Sequence, residues 1–256
     1  MVVAQRKTKK ELPMIKGLYN AAAGMIPRAI EEEVAANNLA NITTTGYKKD
    51  VVHFRRLLDS KLVWSHLRGE PLGGGPPEEV VTRFTQGELK PTGNALDVAL
   101  EGEGFFMVLT PQGERLTRNG NFQLNADGQL VTAQGYPVLG ESGPVQLFPG
   151  EVEIRENGEI YQNGAMVDKL RIVALPRPYP LAKEGEGLFR LTQTLTDLPQ
   201  AENVVVRQGY LEDSNVNPIT EMIRLITISK AFQAGQKAIH AQDRTLEKTV
   251  NTVGRF

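Results

Sequence analysis

Apolar positions recur at a strict spacing of seven near the C-terminus: Leu225, Phe232, Ile239, Leu246 and Val253. Such a repeat marks a seam along a helix that packs on another helix. Asn217-Pro218 opens the pattern. Asn suits the N-cap, and Pro suits the first helical position, where its missing N–H costs nothing. Gly254 is placed like a helix stop. The spacing predicts a helix over 217–253. From Pro218 it would run about 54 Å at about 1.5 Å per residue. Its first turns are denser. Ile219, Met222, Ile223, Leu225, Ile226 and Ile228 cover more than one face.

A second helical pattern occupies 14–41. Leu18, Ala22, Met25, Ala29, Glu32, Ala36 and Leu39 alternate spacings of four and three, a heptad seam interrupted by Glu32. Ile26, Ile30 and Val34 form another stripe. Two apolar faces on one helix predict two partners. The small residues Ala21, Ala22, Ala23 and Gly24 let a neighbouring backbone come close. Pro27 removes one backbone bond and predicts a kink near residues 23–27. Asn37, Asn38 and Asn41 precede Thr43-Thr44-Thr45-Gly46. Their amides can cap freed carbonyls or bond neighbouring chains, and the β-branched run followed by Gly ends the helix.

Between the helices the period changes to two. Short apolar runs over 80–206 are punctuated by Asn119-Gly120, Asp127-Gly128, Asn157-Gly158 and Asn163-Gly164, dipeptides that suit tight hairpin turns. Phe105–Val108 and Leu170–Leu175 read as buried strands, the second ended by Pro176, Pro178 and Pro180. Residues 47–86 read as an extended connector. Val51–Trp64 carries helix-like apolar patches, and Gly69–Pro77 is flexible by composition. The basic stretch 1–13 reads as a disordered extension, with Met14 a possible translation start.

The predicted class is therefore α+β. Long N- and C-terminal helices form a coiled-coil-like core, and a central all-β domain projects from it. The expected segments are 1–13 extension, 14–46 first core helix with its exit, 47–86 connector, 87–206 β-rich outer domain and 207–256 second core helix.

Composition narrows the chemistry. The chain has 256 residues and a formal net charge of −1, so no basic excess points to nucleic acid or an anionic membrane. It has no cysteine, which excludes disulfides, thiolate catalysis and Cys-based zinc sites. Three scattered histidines, His53, His66 and His240, give no metal motif. No apolar run approaches the roughly 18 residues of a membrane span. No cleaved secretory signal is visible either, because the basic start lacks the apolar stretch that should follow.

Asp97, Glu101 and Glu103 form the sharpest acidic cluster. Paired carboxylates can cleave glycosides, but Glu-Gly-Glu-Gly before a buried strand reads as turn chemistry. Gly102-Glu103-Gly104 lacks the spacing and the Lys-Ser/Thr of a phosphate loop. Ser65-His66 has no third member nearby in sequence. No catalytic, cofactor-binding or metal residue is assigned.

Four motifs carry a family resemblance. ANNLANITTTGYKKD (Ala36–Asp50), TGNALDVALEGEGFF (Thr92–Phe106), LTRNGNFQLNADGQLVT (Leu116–Thr132) and QGYLEDSNVNP (Gln208–Pro218) resemble, in order, the boxes of the flagellar rod and hook family of bacterial axial proteins. With the terminal helices, the similarity covers Met14 to Phe256. In the family, the first box resembles the junction between helical core and outer domain.

The resemblance implies a structural axial subunit of the flagellar basal-body rod. It would be exported through the flagellar type III apparatus without signal cleavage and assembled helically in the periplasm. There it would transmit torque around an export channel. Implied partners are other copies and other rod and hook proteins, with no nucleic acid and no membrane insertion. No cofactor is implied. The expected assembly interface is Leu18, Met25, Ile26, Ile30, Val34, Asn37, Asn38, Leu39, Asn41, Met222, Leu225, Phe232, Ile239, Leu246 and Val253. About 240 residues from Met14 suit a rod protein better than a hook subunit. Val167–Phe189 resembles the proximal rod type, with the distal rod type as the alternative. A reading from another class is a secreted β protein that binds or cleaves cell-wall polysaccharide. Pro27 departs from the family pattern inside the first helix.

Overall fold

The computed structural model describes residues 13–54, 78–193, 199–201 and 204–253. The expected 1–13 extension, apart from Pro13, lies outside these residues. So do Trp64, Ser65-His66 and the connector over 55–77.

Helix α1 spans Pro13–Ala40 and helix α2 spans Pro218–Val253. Between them, sixteen strands are described: β1 (Asp50–Phe54), β2 (Glu78–Thr82), β3 (Leu89–Pro91), β4 (Val98–Glu101), β5 (Phe105–Thr110), β6 (Gly113–Thr117), β7 (Phe122–Leu124), β8 (Leu130–Thr132), β9 (Val152–Ile154), β10 (Glu159–Gln162), β11 (Ala165–Lys169), β12 (Ile172–Val173), β13 (Leu181–Gly185), β14 (Leu188–Leu191), β15 (Val205–Gln208) and β16 (Tyr210–Glu212).

The expected fold class is corrected here. Most of the described elements are strands, sixteen against two helices, and those helices do not form a coiled-coil-like core. Such a core would bury both seams. On α1 the seam positions Ala29 and Ala36 are exposed, and the buried line runs instead through Glu31, Ala35 and Asn38. On α2 the seam positions Leu225, Phe232 and Ile239 are only half-buried.

The chain divides into two compact units. One takes Met1–Asn37, Asp50–Val81 and Ile219–Phe256. It contains most of α1, α2 and the β1–β2 pair. Residues 50–54, where helix-like patches begin, form strand β1. The other unit takes Asn38–Lys49 and Thr82–Pro218.

The second unit is built around β5. Its sequence, FFMVLT, alternates sides along the strand. Phe106 and Val108 join one buried cluster with Val98, Leu100, Phe122 and Leu130. Phe105 and Met107 join another with Leu116, Leu139, Val173 and Phe189. With both faces covered, β5 sits inside an antiparallel sheet ordered β12-β5-β6-β14-β13. Burial stabilises each such side chain by about 1.5–3 kcal/mol.

The other strands form small sheets: β11-β10-β9, β15-β4, β16-β3 and β7-β8. Asn163-Gly164 makes the β10–β11 turn with both residues at positive φ, 50° and 83°, as a two-residue hairpin requires. Asn119-Gly120 differs from the expected hairpin. A Cβ on Gly120 would lie 1.6 Å from the Val98 carbonyl oxygen, so glycine is needed there for close packing. The LRIVAL strand shortens to Ile172–Val173, with Leu170 and Leu175 still buried.

Candidate functional site

The four sequence motifs, far apart along the chain, converge on one junction in the second unit. Helix α1 ends at Ala40, and the chain turns through 41–46. Thr44 Oγ1 donates to Asn41 Oδ1 at 3.1 Å, and Tyr47 Oη donates to buried Asn38 Oδ1 at 3.2 Å. Gly46 N donates to the Glu212 carbonyl at 2.7 Å. The first motif therefore enters the junction beside the last.

Ladders bring in the others. β15 pairs with β4, and β16 pairs with β3. Between these ladders, Gly209 N donates to the Asp97 carbonyl at 2.8 Å, and Thr92 N donates to the Gly209 carbonyl at 2.8 Å. Gln208 splices three segments. Its Nε2 donates to the carbonyls of Ala95 and Val152, and its Oε1 accepts from Ile154 N.

A buried charge cluster closes the junction. The Lys48 and Glu212 side chains are both 0% exposed and in direct hydrogen-bonded contact. Lys48 Nζ also donates to the Thr85 carbonyl at 2.9 Å, and Glu212 Oε1 accepts from Gly87 N at 2.8 Å. Arg118 Nη1 lies 3.5 Å from Glu212 Oε2, and Arg118 Nη2 donates to the Gly102 carbonyl at 2.6 Å. The Phe105 ring lies under the guanidinium, 5.3 Å from its centroid. Two cations thus share one carboxylate away from water. Burial pushes the Lys48 ammonium below its ordinary value, with Glu212 opposing and Arg118 reinforcing the shift. Burial likewise lowers Arg118.

The acidic residues singled out from the sequence are used structurally. Asp97 is buried and accepts from Asn94 and Asn121 side-chain amides. Glu101 pairs with Arg207 at 3.0 Å. Glu103 pairs with Arg177 and accepts from Tyr179 Oη at 3.0 Å. Among the described residues, no group of three metal-ligating side chains forms. No described helix is long and apolar enough to cross a membrane.

The expected interface residues separate into classes. Met222 and Ile26 are exposed. Met25, Ile30, Leu39, Asn41, Leu225, Phe232 and Ile239 are half-buried, Asn37 is exposed, and Val34 and Asn38 are buried. The side chains of Leu18, Leu246 and Val253 lie outside the described set. Met222 belongs to a continuous stripe with Ile219, Ile223 and Ile226, spaced 0, 3, 4 and 7, each between 51% and 68% exposed. It lies on a different side of α2 from buried Glu221 and Ile228.

Sequence reasoning missed the charge cluster. Its one signal was three charged residues, Lys48, Arg118 and Glu212, sitting inside the family-like boxes.

Comparisons with known proteins match three stretches of the chain to one family group. Residues 18–48 match the flagella basal body rod protein family. Residues 99–165 match the flagellar hook protein FlgE/F/G D1 domain, and residues 207–252 match the flagellar basal body rod FlgEFG protein C-terminal family. The chain is 35% identical to the flagellar basal-body rod protein FlgF of Rhizobium meliloti, covering 94% of this chain and 99% of that protein. It is 33% identical to FlgG of Borreliella burgdorferi, covering 91% and 97%. It is 32% identical to FlgF of Caulobacter vibrioides, covering 95% and 98%. With buried junction, flanking helices and full-length relatives in agreement, the chain belongs to the family of flagellar basal-body rod proteins of the FlgF/FlgG type, structural subunits of the bacterial flagellum.

Proposed function

We propose that this rod subunit assembles with other copies and with neighbouring rod and hook proteins through the apolar faces of its terminal helices. The observation that carries the proposal is the exposed stripe Ile219, Met222, Ile223 and Ile226. Four large apolar side chains in one helical row are costly in water and mark an interaction surface. Ile26 on α1 supplies a further exposed apolar position. Contacts that repeat head to tail without closing build filaments rather than rings, which suits a shaft that carries torque around an export channel.

In this reading the protein acts mechanically, without catalysis or cofactor. It reaches the periplasmic rod through the flagellar type III apparatus, without a cleaved signal, and works there. We assign it to the proximal rod on the character of Val167–Phe189. FlgG relatives of comparable identity keep the distal rod as the second reading.

The test is electron microscopy of basal bodies from a strain lacking this gene, beside the complemented strain. A rod missing or stopped at its inner part supports the proximal assignment. An inner rod without its outer part favours the distal one. Complete basal bodies bearing hooks overturn both.

A further inference from the structure

Gly235 lies in the middle of α2, a helix of 36 residues. Glycine in a helix interior costs about 1 kcal/mol relative to alanine. Its backbone is helical like its neighbours', so no turn accounts for it. The side-chain surroundings do. A Cβ on Gly235 would lie 3.1 Å from Met25 Cγ and 3.5 Å from Met25 Sδ. That spacing is tighter than ordinary carbon contacts of about 3.5–4.0 Å. A methyl there would press on Met25 Cγ by a few tenths of an ångström, so glycine lets Met25 sit closer to α2 than alanine would.

The surroundings are arranged around this contact. Gly235 is half-buried, and so are Phe232 and Ile239, about one turn to either side. Ala231, Ala234 and Ala238 keep the adjacent surface low. On α1, Met25 is half-buried and stands two residues before Pro27. Proline has no N–H, so the carbonyl of residue 23 loses its helical donor, and the helix can bend there. The place where α1 is free to bend lies beside this contact with α2.

We infer that Gly235 is a notch that seats Met25 and thereby sets where α1 crosses α2. Met25 and Gly235 are positioning residues of the helical unit. The inference goes beyond the rod assignment, because it concerns one chain and does not depend on what that chain assembles with.

The chain has no cysteine, so introduced thiols report cleanly. In purified full-length M25C/G235C, the two Cβ atoms would be at most about 4.6 Å apart, the 3.1 Å contact plus one C–C bond. That is close to the spacing a disulfide needs. Lys237 is exposed and about 200° further round the helix, so M25C/K237C is the control. Dilute oxidation should close the 25–235 bond within one chain at least about tenfold faster than the 25–237 bond. Equal rates, or a 25–235 bond formed mainly between chains, would overturn the inference.

A size swap gives an independent reading. G235L should lower the melting temperature of the helical signal, and M25A/G235L should recover most of that loss. A double variant as unstable as the sum of the two single variants would also overturn it.

Discussion

Lys48 and Glu212 stand 164 residues apart in sequence and form a direct ion pair with neither side chain exposed. One follows the exit of α1, and the other precedes the entry to α2. The pair therefore ties together two segments of the second unit, one from its first stretch and one near its end. Arg118 shares the same carboxylate from the third motif. A buried pair is weak evidence for net stability, since desolvation offsets much of the attraction. Removing one partner is different, because it strands the other charge away from water.

E212L should be the most damaging change at this junction, because it leaves two buried cations and no anion. K48M leaves the Arg118–Glu212 contact in place and should cost less. Breaking a buried pair typically costs about 3–5 kcal/mol. E212L should lie at or above that range and K48M at its lower end, measured by urea unfolding of the purified chain. A K48M loss larger than that of E212L would show that Arg118 cannot use the carboxylate alone.

The same pair predicts an unusual pH dependence. Burial holds the Lys48 pKa in the folded protein below its unfolded value of about 10.4. Between those two values the unfolded chain binds more protons than the folded one, so stability rises with pH there. The cost of holding Lys48 charged is fully present below its folded pKa and is relieved as pH climbs. The difference in unfolding free energy, wild type minus K48M, should increase as pH climbs through the folded Lys48 pKa toward the unfolded value of about 10.4. A falling difference would mean that the ion pair outweighs burial.

This junction was hard to read in the sequence for a physical reason. Periodicity reports one element at a time, and a contact across 164 residues leaves no periodic trace. The helix bounds and the doubly buried strand at Phe105–Val108 were legible, because local pattern determines them. The fold class was not. Turn dipeptides marked 80–206 as β, but a seven-residue spacing shows only that a stripe is apolar and not what covers it, and Leu225, Phe232 and Ile239 are only half-buried. The face of α1 was also displaced by one position. Ala29 and Ala36 counted as seam residues, yet small alanines cost little in water. Glu31 and Asn38 are polar, yet Arg28 and Tyr47 give them partners that permit burial.

The exposed stripe on α2 yields a test of assembly that spares folding. I223D places a charge in the middle of the row, while K237D changes an exposed polar position on the same helix. A buried interface residue is commonly worth about 2 kcal/mol, or about thirtyfold in association. I223D should therefore abolish swimming while the purified chain keeps its β-sheet circular dichroism. K237D should swim. Normal motility of I223D would remove the stripe from the interface.

Gly46 and Gly93 separate strain from crowding. Both adopt left-handed backbone, with φ of +68° and +75°. A Cβ on Gly93 meets nothing within 4 Å, whereas one on Gly46 would lie 2.6 Å from the Arg118 carbonyl carbon and the Asn119 nitrogen. G93A should therefore cost only the conformational penalty, about 1–2 kcal/mol. G46A adds a clash with backbone, which cannot swing aside as a side-chain tip can. It would also push the first motif away from Arg118 and loosen the hold of Gly46 N on the Glu212 carbonyl. Its loss in urea unfolding should exceed that of G93A by at least about 2 kcal/mol, in the range of core overpacking. Equal losses would mean that the chain at 118–119 yields, and that the junction is softer than its burial implies.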